Sequence, residues 1–167
     1  MENGCVDPDG EQGPLLLGYG QLHWITGINI GDNGTVYLTE SIAGTQNSVV
    51  IFERTEAGTD NSSGDMAGNS HEGAIKVGEK PDAIAVHSGT NTIYVANVNS
   101  NTISIIDGSA NKVVKTVSSG GIGPMGLAVN TVNNKVYVAN FESDSVSVLD
   151  GKTGEVLANI TNINYHP

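Results

Sequence analysis

The segment 57–72 contains the side chains of this chain that could best bind a metal ion. Its carboxylates are Asp60, Asp65 and Glu72, with Asn61, Asn69 and His71 close by in sequence. Carboxylate and amide oxygens are ligands that Ca²⁺ prefers. The spacing does not match the calcium loop of an EF-hand, so a polar insertion between strands is the favoured interpretation and a calcium site the weaker one.

The histidines and the single cysteine form no recognisable catalytic or metal-binding pattern. The four histidines are His23, His71, His87 and His166, and no two are spaced two or four residues apart. A copper or zinc cluster would need several converging imidazoles. Cys5 has no second cysteine to pair with, which excludes an internal disulfide and cysteine-based zinc or redox motifs.

Short sequence motifs for common enzyme chemistry are also missing. The chain has no P-loop, no G-x-S-x-G and no dinucleotide-binding glycine run. The sequence does not exclude a carboxylate pair for glycoside hydrolysis, since the two residues of such a pair come together only in the folded chain. We therefore assign no catalytic residue, no cofactor and no metal ligand beyond the three carboxylates named above.

The net charge of −11 limits the classes of partner. Residues 1–72 carry eleven acidic residues against Arg54 alone, whereas residues 73–167 carry seven against six lysines. A nucleic acid partner is excluded because phosphate contacts need a basic surface. No apolar run approaches the ~20 residues of a membrane span. The first residues lack the basic and apolar regions of a signal peptide.

A 43-residue period, the distance from Pro81 to Pro124, organises the second half of the chain. Each unit starts at one of these prolines and passes through Tyr-Val-Ala-Asn, at residues 94–97 and 137–140. The third apolar run of each unit ends in Asp-Gly, at Asp107-Gly108 and Asp150-Gly151. A period of this length is typical of architectures in which each unit buries its apolar face on its neighbour.

Each unit contains four short apolar runs separated by turn residues, and no run has helical periodicity. Asp-Gly between apolar runs indicates hairpins. Residues 93–96 are almost continuously apolar, which predicts a strand covered on both faces. These features predict an all-β fold, a partial β-propeller of four-stranded antiparallel blades with a 43-residue repeat.

The predicted organisation is a flexible acidic tail over residues 1–14 and a partial propeller over 15–167. The blades are expected at about 22–77, with the insertion 57–72, then at 82–117 and 125–160. One further step of 43 residues from Pro124 reaches Pro167. Since closed propellers typically need four to eight blades, we expect either a fragment of a longer protein or an oligomer that completes a ring.

The repeated Tyr94-Val-Ala-Asn97 and Tyr137-Val-Ala-Asn140, with the Gly-x-x-Pro turns that precede each unit, resemble the YVTN-family β-propeller repeat. The resemblance covers residues 74–167 well and 22–56 weakly, where the motif becomes Tyr37-Leu-Thr-Glu40. Such families are similar to seven-bladed propellers of cell-surface and other extracytoplasmic proteins. The resemblance implies a binding or scaffold module.

The residues that recur in each unit are interpreted as structural, because a specific active site would break the repeat symmetry. They are Tyr37, Tyr94, Tyr137, Asn97, Asn140, Pro81, Pro124, Asp107, Gly108, Asp150 and Gly151. We expect the tyrosines to pack between blades. We expect the asparagines to cap a turn or bond a neighbouring strand.

Two functional hypotheses follow. The preferred one is a non-catalytic module of a larger extracytoplasmic or cell-surface protein. Its partner would be a protein or a carbohydrate at a propeller face, or further blades of the parent chain. The alternative is a segment of a propeller enzyme, a lactonase-like hydrolase or an oxidoreductase subunit, whose active site lies mostly in missing blades.

Overall fold

The computed structural model of the protein describes residues 25–31, 34–42, 46–54 and 69–161. Over these ranges the chain forms three four-stranded antiparallel sheets, and the strands of each sheet follow one another in sequence order. The regular elements are strands, apart from one 3-10 turn at Ser88–Thr90. The predicted all-β fold with four-stranded units is confirmed.

We call the three sheets blades 1, 2 and 3. Blade 1 contains β1 (Ile25–Ile30), β2 (Val36–Ile42), β3 (Gln46–Arg54) and β4 (Asn69–Lys76). Blade 2 contains β5 (Pro81–His87), β6 (Thr92–Asn97), β7 (Thr102–Asp107) and β8 (Lys112–Ser118). Blade 3 contains β9 (Pro124–Asn130), β10 (Lys135–Asn140), β11 (Ser145–Asp150) and β12 (Val156–Thr161).

The blades fan out from their first strands. β1 packs against β5, and β5 packs against β9, whereas the last strands β4 and β8 barely touch. This wedge-shaped stacking is the arrangement of blades around a propeller axis, with β1, β5 and β9 innermost.

The apolar core lies in the two seams between blades. In the first seam, Tyr37, Val49, Ile51 and Ile75 of blade 1 meet Ile84, Ile93, Val95 and Ile106 of blade 2. In the second seam, Tyr94, Ala96, Ile103 and Ile105 of blade 2 meet Val136, Val138 and Leu149 of blade 3. β6 and β7 are therefore buried on both faces, which explains why residues 93–96 do not alternate between apolar and polar.

Turns with a left-handed backbone recur at the repeat period. Four pairs of positions, each pair 43 residues apart, have a positive φ: Lys80 and Gly123, Asn91 and Asn134, Asn101 and Asp144, Asn111 and Gly154. Asn, Asp and Gly adopt this conformation most readily, so the polar turn residues of the repeat follow from backbone geometry. Lys80 is the one member of these pairs that is not Asn, Asp or Gly.

The Asp-Gly hairpins differ in detail from the two-residue turn that this dipeptide often makes. β7 ends at Asp107, and Oδ1 of Asp107 accepts hydrogen bonds from the N–H groups of Ser109 (2.8 Å) and Ala110 (3.2 Å). The positive φ falls at Asn111. The hairpin is therefore a longer turn that the aspartate side chain holds together.

The fourth strand of blade 1 is longer than the sequence predicts. The insertion was predicted to extend over residues 57–72, but β4 begins at Asn69. β3 extends to Arg54, which pairs with Asn69, and the long partner strand draws residues 69–72 into the sheet. The end of the predicted loop is thus strand.

Candidate functional site

The tyrosine of the repeat motif joins one blade to the next. Tyr94 is buried, and its hydroxyl donates a hydrogen bond of 2.7 Å to the carbonyl oxygen of Gly151, across the seam between blades 2 and 3. Burial raises the pKa of Tyr94 above its ordinary value, and the negative charge of Asp150 acts in the same direction. The hydroxyl therefore stays a neutral donor at physiological pH.

The glycine that follows β11, Gly151, is required by this contact. A Cβ atom added to Gly151 would lie 2.9 Å from the Tyr94 hydroxyl and 2.5 Å from Oδ1 of Asn134. The N–H of Gly151 also donates to the carbonyl of Asn134 at 2.8 Å. The motif glycine thus makes room for two neighbouring side chains. Its φ is not positive, so glycine is needed here for space and not for a left-handed backbone.

The asparagine of the repeat motif links the second and third strands of its own blade. Nδ2 of Asn97 donates to Oγ of Ser104 at 2.9 Å, and Nδ2 of Asn140 donates to Oγ of Ser147 at 2.8 Å. Both asparagines are buried. Their Oδ1 atoms have no hydrogen-bond partner within the described part of the chain. The donated bonds therefore pair only the Nδ2 groups of these two buried amides.

The glycines of the Gly-x-x-Pro turns pack on the same asparagines. A Cβ atom on Gly78 would lie 2.7 Å from Cγ of Asn97, and one on Gly121 would lie 2.5 Å from Cγ of Asn140. These distances are far inside van der Waals contact. The sequence alone indicated a turn at these glycines but not that each one makes room for a buried side chain.

The aspartates that end the third strands cap their turns. Oδ1 of Asp150 accepts from the N–H groups of Lys152 (2.9 Å) and Thr153 (2.7 Å), as Asp107 does in blade 2. These two hydrogen bonds hold the pKa of Asp150 below its ordinary value. The bond from Thr153 has the largest effect, and the bond from Lys152 has the next largest. A carboxylate held in this way caps a turn.

A second contact between blades recurs and was not recognised from sequence; we call it the clasp. Oδ1 of Asn47 accepts the N–H of Lys80 at 3.1 Å, and Oδ1 of Asn101 accepts the N–H of Gly123 at 2.8 Å. In both seams a side chain at the start of the third strand thus binds the residue just before the next blade. Since asparagine is common in turns for local reasons, the sequence offered no signal for this longer-range role.

Blade 1 replaces part of the repeat motif and adds its own bonds. Thr39 stands where blades 2 and 3 have alanine, and its buried hydroxyl donates to the carbonyl of Asp82 at 3.1 Å. Thr26 donates to the carbonyl of Pro81 at 2.7 Å. A Cβ atom on Gly27 would lie 2.5 Å from the Asp82 carbonyl, so the two innermost strands come very close here.

The side chains of the calcium site considered in the segment 57–72 lie outside what the structure describes. Asp60 and Asp65 lie outside the described residues, and of Glu72 only its place in β4 is described. Among the described residues, no three His, Cys, Asp or Glu side chains are close enough to hold a metal ion. His87 is buried at the end of β5, and its Nδ1 has no partner in the described ranges. His23 and His166 lie outside those ranges.

The face of blade 3 that points away from blade 2 is open, and we call it the open face. It consists of Tyr137, Ala139, Val146, Val148 and Ile160. Beside it, Phe141 is 71 % exposed. A shallow pocket of about 320 Å³ lies at one end of this face, lined by Met125, Gly126, Ala139, Asn140, Phe141, Asp144 and Ser145. This surface is an exposed apolar face beside a shallow pocket.

The comparisons with known proteins support the fold. No family model matches the sequence, and a search of curated proteins finds no match. The solved structure of hydrazine synthase from Kuenenia stuttgartiensis superposes with a TM-score of 0.68 at 20 % identity over 92 % of this chain. A protein of unknown function from Desulfotomaculum acetoxidans follows with a TM-score of 0.62 at 16 % identity over 84 %. AztD of Citrobacter koseri gives 0.57 at 13 % identity over 82 %.

These similarities concern architecture alone, because identities are low. The neighbours are propeller-like proteins with sheets of four antiparallel strands. The chain covers 41 %, 43 % and 35 % of the three neighbours, so it spans about two fifths of their length. No helix in the described part of the chain is long and apolar enough to cross a membrane.

Proposed function

We propose that this chain is a non-catalytic binding and scaffold segment of a larger β-propeller protein with repeats of the YVTN type. One observation carries the proposal: the polar residues that recur in the repeat serve the fold. Tyr94 bonds Gly151, Asn140 bonds Ser147, and Asp150 caps its turn. An enzyme site needs polar groups that converge at one place on a cavity, whereas these groups are spread, one set per blade.

The binding partner fits best at the ends of the blades. Loops between strands carry most binding residues in rigid scaffolds of this kind, and here they are polar turns fixed by a left-handed backbone and by aspartate caps. A protein or a carbohydrate would meet such a surface through hydrogen bonds. We place the parent protein outside the cytoplasm or at the cell surface, on the strength of the resemblance to the YVTN repeat.

Fewer observations support the alternative, that the chain is a segment of a propeller enzyme. One structural neighbour is a hydrazine synthase, but at 20 % identity that likeness extends to the fold alone. A lactonase-like hydrolase or an oxidoreductase would require ligands from residues 57–68 or from additional blades.

Metal analysis of the purified chain, combined with a lactone-hydrolysis assay, tests the proposal. We expect no stoichiometric Ca²⁺, Zn²⁺ or copper after dialysis, and no turnover above buffer. Stoichiometric metal together with turnover that a chelator abolishes would show that the chain is catalytic. The matched control is Asp60→Asn/Asp65→Asn: if metal is found, its loss in this variant would place it in the segment 57–72.

A further inference from the structure

The fourth strand of each blade forms the outer edge of its sheet. Within the described part of the chain, β4, β8 and β12 each pair on one side only, with the third strand of their own blade. Because the blades fan out from β1, β5 and β9, these three edges lie at the rim, where another molecule can reach them. An edge strand presents a row of N–H and C=O groups that can pair with a further strand.

The three edge strands differ in charge. β4 contains Glu72 and Lys76, and β8 contains Lys112 and Lys115. Charged side chains, lysine above all, protect an edge strand against pairing with another chain. β12 has the sequence Val-Leu-Ala-Asn-Ile-Thr and contains no charged residue, no proline and no glycine. Among the three described edges, β12 is therefore the one that lacks this protection.

The side chains of β12 have the composition of a strand that pairs between molecules. All six residues of this strand are exposed, and Leu157 and Ile160 are 51 % and 52 % exposed. Short uncharged segments of high β-propensity on an exposed edge pair readily with an identical segment of another chain. The sequence of β12 thus favours a further strand at this edge.

Contacts inside the molecule hold β12 in place. Oδ1 of Asn159 accepts a hydrogen bond of 2.6 Å from Oγ of Ser147, and its Nδ2 donates to the carbonyl oxygen of Gly120. The first bond runs to β11, and the second runs to the linker between blades 2 and 3. Because the strand is already ordered, a partner strand that pairs with it loses less conformational entropy.

We propose that β12 pairs in antiparallel fashion with β12 of a second copy of this chain, so that the two third blades form one continuous sheet across a two-fold axis. The interface is the outer edge of the strand, and it is separate from the open face. The contact is of the β-strand addition type, in which main-chain hydrogen bonds supply affinity and the flanking side chains supply specificity. It concerns self-association and goes beyond the proposed binding function.

The distribution of charge favours a second copy at this edge. Residues 1–72 carry eleven acidic residues against one arginine, whereas residues 73–167 carry seven against six lysines. Repulsion between two copies is therefore smallest when they meet through blade 3. Glu155 directly precedes β12. In an antiparallel pair it faces the far end of the partner strand, so the two glutamates stay apart, whereas a parallel pair would set them side by side.

Sedimentation velocity of the full chain at rising concentration tests the proposal. We expect a dimer, and we expect Leu157→Lys to raise its dissociation constant by about tenfold or more, because two lysines then come close together at the axis. Val114→Lys places the same charge on β8, and Phe141→Ser changes the surface beside the open face. Both control residues are exposed, and both variants should leave the dimer unchanged.

Disulfide formation locates the axis. A two-fold antiparallel pair places one position of β12 opposite the same position of the partner, at a separation that a disulfide can span. Single cysteines are introduced by Leu157→Cys, Ala158→Cys, Asn159→Cys and Ile160→Cys in a chain that carries Cys5→Ser. Mild oxidation should link two copies most efficiently at one of these positions. This measurement does not depend on whether Leu157→Lys folds.

Three results would overturn the proposal. The chain could stay monomeric at every concentration, and slow amide exchange in β12 of that monomer would then identify a segment of the same chain as the occupant. Phe141→Ser could dissociate the dimer, which would place the interface on the open face. None of the four cysteines could form an intermolecular disulfide, which would exclude a two-fold pair of β12 strands.

Discussion

Tyr94→Phe removes one hydroxyl from the second seam and leaves the aromatic ring in place. Tyr94 is 2 % exposed, and its hydroxyl makes the 2.7 Å bond to Gly151. A buried neutral hydrogen bond contributes about 0.5–1.5 kcal/mol, and leaving a buried carbonyl without its donor costs about 1–3 kcal/mol. We therefore expect Tyr94→Phe to lower the free energy of unfolding by about 1–3 kcal/mol.

Urea unfolding followed by far-UV circular dichroism measures this loss. With a slope of about 2 kcal/mol per molar urea, the midpoint should fall by about 0.5–1.5 M. Tyr137→Phe is the matched control, because the same motif position in blade 3 is only half-buried and should change the free energy of unfolding by less than about 0.5 kcal/mol. Equal midpoint shifts in the two variants would refute the assignment of Tyr94 to the seam.

The same residue predicts a loss of stability in alkali. Burial and Asp150 raise the pKa of Tyr94 in the folded state, while the unfolded value is about 10. The stabilising contribution is then fully present below pH 10 and is lost as the pH rises through the folded-state pKa. Tyr94→Phe should unfold with a flatter pH dependence above pH 10 than the unmodified chain. Identical alkaline profiles would contradict the raised pKa.

Two further predictions concern packing. Gly121→Ala should destabilise the fold by about 1–3 kcal/mol in thermal unfolding, because the added methyl group overlaps Asn140. Gly89→Ala is the control and should be close to neutral, because the nearest neighbour of its Cβ atom would lie 3.5 Å away. Ile103→Ala should lower the free energy of unfolding by about 2–5 kcal/mol, and Val146→Ala by less than about 1 kcal/mol, since only the first side chain is fully buried. A larger loss for Val146→Ala in urea unfolding would mean that the open face is covered in solution.

The sequence predicted the blades because their pattern is local. Apolar runs, turn residues and the 43-residue period lie along the chain and can be recognised without knowing which sheets touch. The continuous apolar run at 93–96 even indicated that both faces are covered. Residue types that serve backbone geometry, such as Asn91 at its left-handed turn, also follow from local rules.

The contacts between blades could not be predicted in the same way. Asn101 reaches the N–H of Gly123, and nothing in its local sequence separates this role from that of an ordinary turn asparagine. The strict need for Gly121 likewise depends on Asn140, which approaches it only after β10 has folded beside β9. The candidate calcium ligands Asp60 and Asp65 lie outside the described residues, so that hypothesis stays a prediction.

The seams connect each blade only to its immediate neighbours, and blade 2 is the only one of the three described blades that has a seam on either side. Cooperativity in such an array is a nearest-neighbour property. Amide hydrogen exchange should therefore be slowest in β6 and β7, where opening a strand breaks both seams at once. The outer blades should open first, at a smaller free-energy cost, so the three-blade array should melt inward toward its centre.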